Sequence, residues 1–191
     1  NETFSMYSVI DTTTDKKLAD IRVDGDTLEA SVVDPTSDRI YLNDPAKNQV
    51  VVINRKARKI EAVWPVHMAT KNVAMALDAK THRLFVACRS GKIVVIDTAT
   101  GRELQTLDIN QGVDDLIFDP ATRRIYASCG AGQGSTAVYE EIDPNHYKLL
   151  GNVTTAPGGK NEVLVPQIKR YFLIVPPRGQ AGAVYAYSIQ K

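Results

Sequence analysis

The sequence is short of the features that most often announce a function. Only two cysteines occur in 191 residues, too few for the disulfide framework of a small secreted domain. No Cys-x-x-Cys-His haem-attachment motif is present, and neither is a Gly-x-Ser-x-Gly nucleophile elbow. Charge of one sign is lacking as well: 23 Lys and Arg against 22 Asp and Glu leave a formal net charge of +1. With neither a basic excess nor a basic stripe, no nucleic-acid partner is expected. No apolar run approaches the roughly 20 residues that a membrane helix needs, so no membrane span is expected. What remains, 43% hydrophobic and 24% charged residues, is the composition of a folded globular chain. It suffices for one domain with a core, or for part of a larger one.

What is present is repetition. Ser8-Val9-Ile10-Asp11, Val51-Val52-Ile53-Asn54, Val94-Val95-Ile96-Asp97 and Ala137-Val138-Tyr139-Glu140 align, and Ile10, Ile53, Ile96 and Tyr139 are each 43 residues apart. A second series begins at Arg39, Arg83, Arg124 and Arg170, with spacings of 44, 41 and 46. A third, Val33-Asp34-Pro35, Leu77-Asp78-Ala79 and Phe118-Asp119-Pro120, runs just ahead of it and degenerates at Val165-Pro166-Gln167. Three series with one period indicate a repeat architecture. Within each period the apolar stretches are short, rich in Val, Ile and Tyr, often alternating, and bounded by Asp-Pro, Gly or Asn. That is the pattern of strands, and the sustained three-and-four spacing of helices is missing. Asp34 and Asp119 can accept amide hydrogen bonds from two residues on, Pro35 and Pro120 preset φ, and Gly101 supplies positive φ. Four strands per unit joined by short hairpins predict an all-β fold, a β-propeller built of four-stranded antiparallel blades.

These motifs resemble the YVTN-repeat, or YncE-like, β-propeller family, whose unit carries Asp-Pro, then Arg-(Leu/Ile)-Tyr-Val, then Val-x-Val-Ile-Asp-Thr-x-Thr-Gly. The likeness is close over 78–101, good over 34–54 and 119–129, and loose after 137. It implies a seven-bladed ring and a periplasmic or secreted location, and it does not fix a function. Two departures stand out: Cys88 and Cys129 at the ends of second strands, and insertions at 143–147 and 176–182.

Strand counting predicts a single partial propeller over 1–191. Its units are a partial blade at 1–23, blades at 28–64, 72–109 and 114–154, and a partial blade at 161–189. Seven blades need about 28 strands, so the ring is incomplete, about four blades' worth. An open arc exposes apolar blade faces and an unpaired edge at 183–189. The opening Asn1-Glu2-Thr3-Phe4, without a start methionine, supports a C-terminal part of a longer propeller. The partners expected are therefore the missing N-terminal blades of the same protein, or a second copy closing the ring.

Whatever recurs in every blade belongs first to the blade. Arg39, Arg83, Arg124 and Arg170 are read as hydrogen-bonding nearby turns rather than as an anion-binding ring. Residues that break the repeat are better candidates. Connectors between blades and second-to-third strand loops gather at one mouth of the central channel. The ligand-binding candidates there are Glu29, Asn72, Asp114 and Asn161 at first-strand starts, Asp115 and Glu162 beside them, and His67 and Lys71 in the 66–72 loop. Such carboxylates and amides could hold a polar ligand or a hard cation; no metal or other cofactor is predicted, and Glu29 and Asp114 are the residues to look to if a divalent cation binds. His67, His82 and His146 fall on opposite faces and cannot converge. Cys88 and Cys129 sit on neighbouring sheets about 10 Å apart, too far for a disulfide, so both are expected as free, mostly buried thiols. The Gly130–Ser135 segment has a strand after it instead of a helix, so it is read as a flexible hairpin and not a phosphate loop. The function expected is a non-catalytic binding or scaffold protein using the channel-mouth face for a protein or small ligand. The alternative is a lactonase-like or redox-associated periplasmic enzyme with a metal or cofactor at that mouth.

Overall fold

A computed structural model of the chain describes residues 5–177, 179 and 181–190. The opening residues 1–4, and Arg178 and Gln180 within the 176–182 insertion, lie outside the described residues. Seventeen strands form five antiparallel sheets. The first pairs β1 (Met6–Asp11) with β2 (Lys16–Arg22). Three four-stranded sheets follow, ordered as in the sequence. They are β3 (Ser31–Val33), β4 (Arg39–Asp44), β5 (Gln49–Asn54) and β6 (Lys59–Pro65); β7 (Asn72–Asp78), β8 (Arg83–Cys88), β9 (Lys92–Asp97) and β10 (Glu103–Asp108); and β11 (Val113–Asp119), β12 (Arg124–Cys129), β13 (Ser135–Asp143) and β14 (His146–Thr154). The last sheet has three: β15 (Asn161–Val165), β16 (Arg170–Val175) and β17 (Ala183–Ser188). This is an incomplete β-propeller of about four blades. Among the described residues no helix is long and apolar enough to cross a membrane.

The apolar material is divided into four layers, one between each pair of successive sheets. Alternation along the middle strands produces this. Ile40, Leu42, Val51 and Ile53 face the first sheet, while Tyr41, Val50 and Val52 face the sheet of β7–β10. In the next sheet Leu84 and Val86 face backward, Phe85 and Ala87 forward. A strand buried on both faces reads as a continuous apolar run although its side chains still alternate. The residues spaced by 43 mark a shared irregularity. At Ile10, Ile53, Ile96 and Tyr139 the third strand's pairing with the fourth slips by a bulge, which raises the local twist toward the rim.

The turn chemistry also recurs. Asp34, Asp78 and Asp119 each accept a backbone N–H from two residues on and a hydroxyl from Ser37, Thr81 or Thr122. In the last sheet a single 3-10 turn at Pro166–Ile168 replaces the Asp-Pro turn. Gly101 has φ +73°, and a Cβ there would meet the Trp64 indole at 2.5 Å; the β9–β10 hairpin thus leans directly on the preceding blade.

Candidate functional site

Three of the four equivalent arginines tie blades together. Arg39 grips Glu61 of its own sheet and donates from Nη1 to the Thr98 carbonyl of the next, at 2.8 Å. Arg83 donates to the Pro144 carbonyl (3.0 Å) and Asn145 Oδ1 (3.2 Å) of the next blade, and to Asp97 of its own. Arg124 reaches the Gln190 carbonyl at 2.8 Å. Among the described residues, the Arg170 side chain hydrogen-bonds only the carbonyl of Lys169, its chain neighbour, at 3.3 Å.

At the channel mouth the candidate residues separate into two groups. Asp114 receives Arg89 at 2.5 Å and lies 3.7 Å from Lys160 Nζ, so two cations from flanking blades share one carboxylate. Asp115 accepts the N–H of Leu116 (2.9 Å) and of Glu162 (3.0 Å), which joins the third complete blade to the last sheet. Burial pushes the Asp115 carboxyl up, with Asp114 adding to the effect. Glu162 is almost fully enclosed: its Oε2 accepts the Tyr171 hydroxyl and its Oε1 has no hydrogen-bond partner. Burial holds its carboxyl well above the ordinary range. The Tyr171 hydroxyl also lies 3.0 Å from Thr136 Oγ1, and burial raises that phenol in turn.

Asn72 is fully buried at the start of β7, where its Nδ2 donates to Asn43 Oδ1 (2.8 Å) and to the Gln49 carbonyl (2.9 Å). Asn72 and Glu162 are therefore buried, contrary to the expectation from the sequence. The Asn72 side chain bonds across the seam between blades, whereas that of Glu162 bonds Tyr171 of its own sheet and only its backbone N–H crosses to Asp115. Asn161 is exposed opposite Ile174. Glu29 is partly exposed, two residues ahead of β3, with its N–H on the Asn43 carbonyl. His67 and Lys71 are exposed in a loop that other residues pin. Glu103 Oε1 accepts the N–H groups of His67 and Met68, and Asn48 Oδ1 accepts that of Lys71. Sequence reasoning missed Asn43, Asn48 and Glu103, whose pinning role has no local signature. Among the described residues, no three His, Cys, Asp or Glu side chains are grouped to share a metal ion. Cys88 and Cys129 are free and buried, their thiols pushed up to about 12 by burial.

Two cavities, each of about 390 Å³, lie away from the predicted ligand-binding residues, although Arg124, Thr136 and Tyr171 line the first. The first is an apolar groove between β14 and β17, lined by Tyr126, Val138, Leu150, Val153, Tyr187 and Ile189 among others, beside the open edge of the last sheet. The second lies over the loop between β12 and β13 and carries more polar than apolar surface.

No family model matches the chain and no curated protein resembles it in sequence. Solved structures do resemble it in fold. A chain of Kuenenia stuttgartiensis hydrazine synthase superposes with a TM-score of 0.84 at 15% identity, over 100% of this chain and 58% of that one. A chain of a mitotic checkpoint complex gives 0.76 at 12% identity, over 93% of this chain and 55% of that one. Saccharomyces cerevisiae Sqt1 gives 0.74 at 16% identity, over 98% of this chain and 53% of that one. All three are β-propellers, and at these identities the likeness defines the fold alone. The class of protein is thus a β-propeller, and the chain spans between half and three fifths of the propeller chains it matches.

Proposed function

We propose that these residues form the C-terminal arc of a non-catalytic propeller scaffold of the YVTN-repeat type, exported to the periplasm or beyond, whose ring is completed by further blades of the same protein. The carrying observation is the pair of unfinished ends. The last sheet presents β17 as a bare edge, with Val163, Ile174 and Val184 exposed at 49%, 41% and 65% on the strands around it. Among the described residues the first sheet has two strands and leaves Ile10 and Leu18 exposed at 59% and 45%. Adjacent complete blades bury the corresponding faces, and apolar patches of this kind mark association surfaces.

The polar groups at the mouth favour scaffolding over chemistry. The side chains of Asp114, Asp115 and Asn72 are each engaged across a seam between blades, and that of Glu162 is buried against Tyr171, which leaves the ends and the loops to carry recognition. Light scattering on the 191-residue polypeptide tests this. The expected result is concentration-dependent association, weakened by Val184→Lys and by Ile174→Lys. A species of 21.0 kDa at every concentration would refute it.

A further inference from the structure

The polar depression on the rim lies between Asn110 and Gln111 of the β10–β11 connector, the loop ahead of β13, and Asn152 and Thr154 near the end of β14. Apart from the Ala131 methyl, its side chains are amides and hydroxyls, and none is charged, in a protein where 24% of residues are charged. The loop is also longer than the repeat requires. Residues 130–134 join β12 to β13, where 45–48 and 89–91 make the equivalent connections.

Expected from the sequence to be flexible, this loop is instead packed in place. Gly130 donates its N–H to the Gly112 carbonyl (3.0 Å), Gly134 to that of Ala131 (3.1 Å), and Thr155 to that of Gly134 (3.1 Å). Asn110 Nδ2 donates to Ser135 Oγ at 2.7 Å. Gly134 sits at φ +76°, and a Cβ there would lie 1.9 Å from the Ala156 carbonyl oxygen. The loop backbone and Asn110 are therefore held by hydrogen bonds before anything binds, which lowers the entropy lost on binding.

The chemistry of the lining selects the ligand. No cation is present to neutralise an anion and no carboxylate to neutralise a cation. An apolar ligand would strip water from several amides without replacing their hydrogen bonds, at a cost per group that contact area does not recover. Amides and hydroxyls each offer donors and acceptors side by side, the complement of neighbouring hydroxyl groups. We propose that this rim depression binds an uncharged saccharide. No aromatic ring lines it, so recognition runs through hydrogen bonds, direct and water-bridged, and affinity is modest.

The test is an NMR titration of the ¹⁵N-labelled polypeptide with neutral oligosaccharides of glucose, mannose, galactose and N-acetylglucosamine. Sulfate and a short-chain fatty acid serve as charged and apolar controls. The amides of Gly132 and Gly134, in an uncrowded spectral region, are the reporters. At least one saccharide is expected to move them saturably while the controls do not. Asn152→Ala and Gln133→Ala, both at exposed positions, should each weaken that binding by about ten-fold, the loss of one well-made hydrogen bond. Absence of a saturable shift with every saccharide, equal shifts with sulfate, or undiminished binding in both variants would overturn the assignment. None of these residues lies at the open ends, so the result is independent of ring completion.

Discussion

Replacing each of the equivalent arginines by alanine should destabilise the arc in the order Arg83, Arg39, Arg124, Arg170. The Arg83 side chain is 13% exposed and bonds two groups on the next blade besides three on its own. A hydrogen bond to a charged group contributes about 1.5–3 kcal/mol, but truncation lets water reach some of the abandoned acceptors. Asp97 keeps the N–H groups of Ala99 and Thr100. The net loss for Arg83→Ala is therefore about 3 kcal/mol, below the simple sum of its bonds. Arg39 makes one inter-blade bond and a Glu61 pair about 30% exposed, and should cost about 1.5 kcal/mol. Arg124, with its single bond to Gln190, should cost about 1 kcal/mol. Among the described residues Arg170 hydrogen-bonds only its chain neighbour and should cost under about 0.5 kcal/mol. Urea unfolding at pH 7 reads these directly: with a slope of about 2 kcal/mol per molar, Arg83→Ala lowers the midpoint by about 1.5 M. Equal losses at Arg83 and Arg170 would show that the arginine serves its own blade rather than the seam. That outcome would refute the reasoning.

Other predictions concern the buried groups and the rim loop. Glu162 has a raised carboxyl pKa, so the folded state binds a proton that the unfolded state has released above the ordinary glutamate range. Stability is then full below that range and falls as pH rises toward the folded value. Glu162→Gln, still able to accept from Tyr171, should flatten the contribution of this site, and thermal melts from pH 5 to 8 should separate from wild type increasingly as pH rises. Gly134→Ala should destabilise by more than about 2 kcal/mol, because it meets a carbonyl oxygen at φ +76°; Gly132→Ala, with nothing within 4 Å of its Cβ, should cost only the strain of its left-handed φ, about 1 kcal/mol, and paired denaturation curves distinguish them. An aromatic disulfide reagent at pH 8 should label neither Cys88 nor Cys129 in the folded protein, and both once it is unfolded.

Strand number, hairpin turns and blade order were legible because they are local. Asp34 closes its turn with groups two and three residues away, and the alternation through Ile40, Tyr41 and Leu42 already separates two faces. The shared bulge at Ile10, Ile53, Ile96 and Tyr139 shows as a period in the sequence even though its geometry does not. The seams were not legible. Asn72 was expected at an open channel and instead bonds Asn43 and the Gln49 carbonyl; Glu162 was expected beside a ligand and instead is buried, accepting the Tyr171 hydroxyl. Nothing in the residues near Glu162 reveals that Asp115, 47 positions earlier, accepts its N–H. A side chain's partner in a stacked-sheet protein lies one repeat away, at a distance and angle set by the twist of two sheets and the length of the connector between them. Period and turn chemistry follow from neighbours along the chain. Charge state, burial and pairing follow from neighbours across a seam, and those exist only after the blades have stacked.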